Sequence, residues 1–203
     1  MIDRHLLPLQ RRVLAPAARW LAAVGVSANA VTFSGFALGM AAVPLIASGR
    51  FGAGLAAILA NRLLDGLDGA IARIRGATDR GAFLDIALDF FFYASVPFAF
   101  ALADPPANAL AATALVVAFV GTGSSFLAFA TIAAKRGIGT SDFPDKGIHY
   151  LGGLTEGAET IGFFIAACLW PAQFPVFAWI FTAACLMTTV VRWHAGWRAF
   201  ADR

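Results

Sequence analysis

Long, nearly uncharged apolar stretches, separated by short breaks rich in turn residues, constrain this chain more than anything else in it. They lie near residues 29–48, 52–73, 82–103, 107–134, 150–170 and 174–196. A helix needs about 20 apolar residues to cross the hydrocarbon of a bilayer, so each stretch is long enough to span. The breaks carry the chemistry of helix ends: Ser48-Gly49-Arg50, the polar run from Arg73 to Arg80, Asp104-Pro105-Pro106, the segment from Lys135 to Lys146, and Pro171 to Pro175. With 60% hydrophobic and 13% charged residues, and a mean hydropathy of +0.75, the chain falls outside the range of soluble domains. The expectation is an all-α integral membrane protein. Residues 1–203 form a single membrane domain, in which 28–197 make a six-helix transmembrane bundle and 1–27 an interfacial amphipathic segment.

Charges are spread through the first 25 residues, which lack the uninterrupted apolar run of a cleavable signal. At about 100° per residue, Leu6, Leu9, Val13, Ala17, Trp20 and Val24 gather on one side of a helix, and Arg4, Arg11, Arg12 and Arg19 on the other. Pro8 suits an early turn, and Pro16 is expected to bend or interrupt the helix. Lys and Arg concentrate in the N-terminal segment, the second and fourth loops and the C-terminus, whereas the alternate loops hold only Arg50. Both termini are therefore expected to be cytoplasmic, with the net charge of +3 directed at anionic headgroups. Nothing in this pattern suggests a nucleic-acid partner. Cys168 and Cys185 lie inside apolar runs without metal-ligand spacing and read as packing residues.

Against this background four aspartates stand out. Asp65 and Asp68 are three apart and Asp85 and Asp89 four apart, so each pair shares a helix face. An unpaired carboxylate inside a bilayer costs on the order of 3 kcal/mol, so four together demand compensation. Divalent metal supplies it economically, because Mg²⁺ and Mn²⁺ favour carboxylate oxygens and two ions can share them. Small residues Gly66, Gly69, Ala70 and Ala72 also suit close packing between membrane helices.

Written out, the segment is D-x-x-D-G-x-x-A-R, seven residues, then G-x-x-x-D-x-x-x-D, with Asp65, Asp68, Gly69, Ala72, Arg73, Gly81, Asp85 and Asp89 at the fixed places. It resembles the signature of the CDP-alcohol phosphotransferase family, membrane enzymes of phospholipid synthesis. The spacing between Arg and Gly is one residue shorter than is common in that family, which leaves Thr78 or Asp79 in the place of its small hydroxyl residue. The resemblance implies a two-metal site for Mg²⁺ or Mn²⁺. Asp65 and Asp85 would bridge both ions, Asp68 would complete one site, and Asp89 would complete the other while taking the acceptor's proton. It further implies that Asn29 and Thr32 form the family's N-x-x-T element at the cytidine end of the donor. Gly69 lets a nucleotide approach and Arg73 offers a forked donor to phosphate oxygens.

The activity implied by the resemblance is transfer of a phosphatidyl or phospho-alcohol group from a CDP-linked donor, CDP-diacylglycerol in bacterial-type enzymes of this size, to a hydroxyl acceptor with release of CMP. A homodimer in the bacterial inner membrane, with a cytoplasmic active site, is the family's usual setting. Acceptor identity stays open between two sets of residues. Glu156 and Glu159, in the fifth stretch, suit a polyol or amine and pair with Arg62 or Arg192; Lys135, Arg136, Lys146, His149 and Arg192 suit a phosphate. Transport through an acidic cation or proton site is the competing class, but it favours charges at the midplane and repeated halves. An intramembrane aspartyl protease would need one acid on each of two helices, without tandem pairs.

Overall fold

A computed structural model describes residues 3–137 and 153–201, with side chains from Gln10 onward. Every element is helical: α1 (Asp3–Ala23), α2 (Ala28–Ala47), α3 (Phe51–Arg75), α4 (Asp79–Ala103), α5 (Pro105–Lys135), α6 (Gly157–Leu169) and α7 (Phe174–Ala199), with a 3₁₀ turn at Pro171–Gln173 before the last. Four helices among the described residues are long and apolar enough to cross a membrane: α2, α4, α5 and the helix ending at Ala199. The six expected spans are thus not all equivalent. At 25 residues α3 has the length, but Arg62, Asp65, Asp68, Arg73 and Arg75 interrupt its apolar character. Its neighbour α6 is apolar but has only 13 residues, beginning at Gly157 rather than near 150. Lys146, His149 and the start of the expected fifth span lie outside the described residues, as do the side chains of Arg4, Leu6 and Leu9.

Local chemistry sets the helix ends. Ser27 caps α2, its hydroxyl accepting from the Ala30 N–H at 3.2 Å. Asp104 caps α5, accepting from Ala107 N at 3.2 Å, and Pro105 and Pro106 occupy the first turn, where a missing N–H costs nothing. Pro16 does not interrupt α1, which continues through it. Pro16 is exposed, so the backbone carbonyl it cannot bond is open to solvent, while Leu14 and Ala18 on either side are buried against Leu67, Ala70 and Ile71 of α3. Arg75 then ties the end of α1 to α3, donating to Ala22 O at 3.0 Å and Gly25 O at 3.3 Å. On the apolar stripe of α1, Val13, Trp20 and Val24 are all more than half exposed and face away from the rest of the protein.

The most extensive helix pairing is between α2 and α3, and glycines on α2 allow a tight approach there. A Cβ on Gly39 would lie 2.9 Å from the Asn61 side chain and 3.0 Å from Phe92. Below this crossing an aromatic core joins α4, α6 and α7, with Phe100 stacked on Phe174 at 4.3 Å between centroids.

Candidate active site

The site lies between the C-terminal half of α3 and the N-terminal half of α4, both of which pack on α2. Gly76 turns the chain between them at φ +97°, a conformation that a side chain would strain. Thr78 starts the next helix, its hydroxyl accepting from Gly81 N at 3.1 Å. Asp79 is the first helical residue, and both it and Thr78 are exposed. A Cβ on Gly81 would lie 3.2 Å from Thr78 Oγ1 and 3.3 Å from Asn29 Oδ1. Hence Asn29, on α2, reaches the beginning of α4, although the two are far apart in sequence. Because Ser27 already caps α2, neither Asn29 nor Thr32 is needed as a cap.

All four aspartates line one small cavity together with Thr32, Asn61 and Arg62. It is partly open, and about 10 Å³ of it admits a water-sized sphere, less than a nucleotide needs. Asp68 is buried, and its Oδ2 atom has no hydrogen-bond partner among the described residues. Such an atom is costly unless something satisfies it. Asp85 is exposed, whereas Asp65 and Asp89 are about one-third exposed, at 33% and 29%. Among the described residues, however, no group of three or more acids, histidines or cysteines is drawn close enough to hold a metal ion.

Arg62 stands between them. Its Nη2 donates to Asp89 Oδ1 at 2.5 Å and its Nη1 to Asp89 Oδ2 at 3.2 Å, while Nη1 lies 3.5 Å from Asp65 Oδ2. The same guanidinium donates through Nη1 to Tyr93 OH at 3.0 Å and through Nε to Asn61 Oδ1 at 2.8 Å, and it sits 5.0 Å from the Phe92 ring centroid. Asn61 in turn donates to Gly35 O at 2.9 Å, which fixes α3 against α2. The sequence pointed to Glu156 or Glu159 as partners of Arg62; the partners found are Asp89 and Asp65. Asp65 is three residues from Arg62 on the same face of α3, whereas the Asp89 contact depends on the side-chain directions of two separate helices, which spacing along one helix does not encode.

Gly69 and Arg73 lie together on the outer side of α3: a Cβ on Gly69 would meet only Arg73 Nη1, at 3.5 Å. Arg73 is exposed, poised beside a backbone left bare. The residues expected to line an acceptor pocket sit elsewhere. Glu156 and Glu159 make a capping box at the start of α6, Glu159 accepting from Glu156 N at 3.1 Å, and Glu156 also accepts from Gly153 N at 3.2 Å. Arg192, on α7, is buried against α5, donating to Thr122 O at 3.0 Å beneath the Phe126 ring. None of the three lines the aspartate cavity.

Residues 25–192 match the model of the CDP-alcohol phosphatidyltransferase family. The chain is 54% identical to the inner membrane protein YnjF of Escherichia coli K12 over 97% of its own length and 96% of that protein's. It is similar to phosphatidylinositol phosphate synthase of Mycobacterium tuberculosis in two solved states. With CDP-DAG bound, the TM-score is 0.70 at 28% identity, covering 95% of this chain and 98% of that one. In complex with manganese and citrate it is 0.74 at 28% identity, covering 94% and 92%.

Proposed function

This chain belongs to the CDP-alcohol phosphatidyltransferase family, and on that premise we propose that it transfers a phosphatidyl group from CDP-diacylglycerol to a hydroxyl acceptor, releasing CMP. The observation that carries the proposal is the convergence of Asp65, Asp68, Asp85 and Asp89 on one cavity at the α3–α4 junction, with Thr32 beside them. The synthase similar in fold carries CDP-DAG in one structure and manganese in another, which supports both the donor and the metal. Neither the family nor these relatives supports transport.

The donor set suits Mg²⁺ or Mn²⁺: four carboxylates, one with a buried oxygen left unsatisfied. Asp65, Asp68, Asp85 and Asp89 would hold two such ions. When bound, divalent metal neutralises the donor's pyrophosphate and makes its phosphorus easier to attack. Arg73 contributes a forked cation at the surface, and Gly69 leaves backbone that phosphate or ribose can approach. Asn29 and Thr78, brought together at Gly81, form a polar end for the cytidine. Asp89 accepts the proton of the acceptor hydroxyl as the oxygen–phosphorus bond forms and the bond to CMP breaks. We assign the chain to a bacterial inner membrane as a homodimer, with α2 to α7 as six spans and with the active site and both termini cytoplasmic. Glu156, Glu159 and Arg192, which stand outside the aspartate cavity, are proposed as acceptor-side residues.

The test is CMP release from radiolabelled CDP-diacylglycerol with Mg²⁺ or Mn²⁺ and a panel of glycerol phosphate, inositol phosphate, inositol, serine and simple polyols. One acceptor should support turnover, and Asp89→Asn should abolish it while leaving nucleotide binding intact. Full turnover by that variant would remove Asp89 from the role of base. Failure with every acceptor would shift the donor to a CDP-polar alcohol.

A further inference from the structure

The family signature assigns no role to Arg62, yet this side chain is the most fully engaged polar group in the cavity. Its guanidinium grips both oxygens of Asp89, approaches Asp65, and is held from behind by Asn61 and Tyr93. Phe92 and Tyr93 flank it, with ring centroids 5.0 and 5.2 Å from its central carbon. Such an arrangement is a built cation site and not a side chain that has drifted onto an acid. It is also one-sided. Arg62 engages the Asp65–Asp89 edge of the cluster, while Asp68 Oδ2 remains unsatisfied.

We propose that Arg62 is a resident cation that competes with divalent metal for the Asp65–Asp89 edge, so that the cluster loads its ions unequally. This rests on the metal site put forward under Proposed function. A carboxylate whose two oxygens both accept from one guanidinium has few lone pairs left to offer a metal. An ion placed within ligand distance of Asp89 would also stand beside a like charge in a medium that screens poorly. The Asp68 edge carries neither handicap. An ion there satisfies an orphaned oxygen and displaces nothing, whereas ligation by Asp89 requires the guanidinium to give way. Arg62 is thus a positioning residue: it keeps Asp89 in place and neutralised until the second ion arrives, and it sets the metal concentration at which that happens.

Mn²⁺ titration of the full chain in nanodiscs, monitored by electron paramagnetic resonance without nucleotide, tests this directly. The wild type should show one strong site and one weaker by roughly tenfold or more, the scale on which a neighbouring charge shifts ionic equilibria at a carboxylate. Arg62→Met should tighten the weak site until the two converge. Tyr93→Phe, which loosens the guanidinium but keeps its charge, should tighten it by a smaller factor and serves if Arg62→Met fails to fold. A damaged fold lowers metal affinity, so a gain cannot come from general disruption. Two equal strong sites in the wild type, or unchanged or weaker binding in the folded variants, would overturn the role of Arg62 and leave the metal site standing. No Mn²⁺ binding by any of the proteins would overturn both.

Discussion

Asn61 performs two tasks with one amide, donating to the Gly35 carbonyl and accepting from Arg62. The position of the guanidinium in the cavity therefore depends on how closely α2 and α3 approach, and that approach depends on Gly39. Gly39→Ala would place a methyl 2.9 Å from Asn61 and 3.0 Å from Phe92. It should lower stability by about 1–3 kcal/mol, read as a fall in the unfolding temperature in detergent. Asp68→Asn keeps the shape and removes the charge of the buried carboxylate. It should abolish the strong Mn²⁺ site with little effect on unfolding temperature; retention of that site would exclude Asp68 as a ligand. The four aspartates were legible in the sequence because charge is rare in apolar surroundings and their spacing puts each pair on one face. The spacing of Arg62 from Asp65 was in the sequence, but its grip on Asp89 was not, because that contact spans two helices whose relative rotation spacing does not encode.

At the level of elements, the segment leading into α6 is fastened to α7 through one hydroxyl, while α6 itself packs into the aromatic core. Thr188 Oγ1 on α7 accepts from Leu154 N at 3.1 Å, Thr155 N at 3.2 Å and Thr155 Oγ1 at 3.0 Å. Thr188→Val retains the volume but strands these donors in a buried place. A cost of about 1–3 kcal/mol is expected, with earlier hydrogen exchange at residues 154–160 than elsewhere in the bundle. Thr78→Ala removes the cap that positions the first turn of α4, for about 0.5–2 kcal/mol. Because Thr78 also stands beside Asn29, CMP turnover should fall more than stability does, which separates a substrate role from a cap. Helix positions along the chain were legible from hydropathy and turn residues to within a few residues. The start of α6 was not: Glu156 and Glu159 read as charges within a span, whereas their backbone contacts make them the beginning of one. The helix runs uninterrupted through Pro16 for a related reason, since the loss of one hydrogen bond is outweighed when the residues on either side are packed against another helix.

For the molecule as a whole, the distribution of Lys and Arg predicts that the α3–α4 loop is cytoplasmic and the α2–α3 loop is not. Ala77→Cys and Ser48→Cys are both at exposed positions, and the native Cys168 and Cys185 are buried. A membrane-impermeant maleimide should label Ala77→Cys in inside-out vesicles but not in intact spheroplasts, and Ser48→Cys the reverse. The opposite pattern would invert the orientation. The sequence by itself determined that this is a helical membrane protein with four acids at one edge and a family signature around them, because hydropathy, spacing and charge asymmetry are properties of the chain read in order. The tertiary structure alone decided that Asn29 meets the start of α4, that Glu156 and Glu159 cap a helix, and that Arg62 occupies the acidic cavity. Each of these depends on how helices rotate and cross, and that is set by the summed packing of many side chains and not by any local pattern.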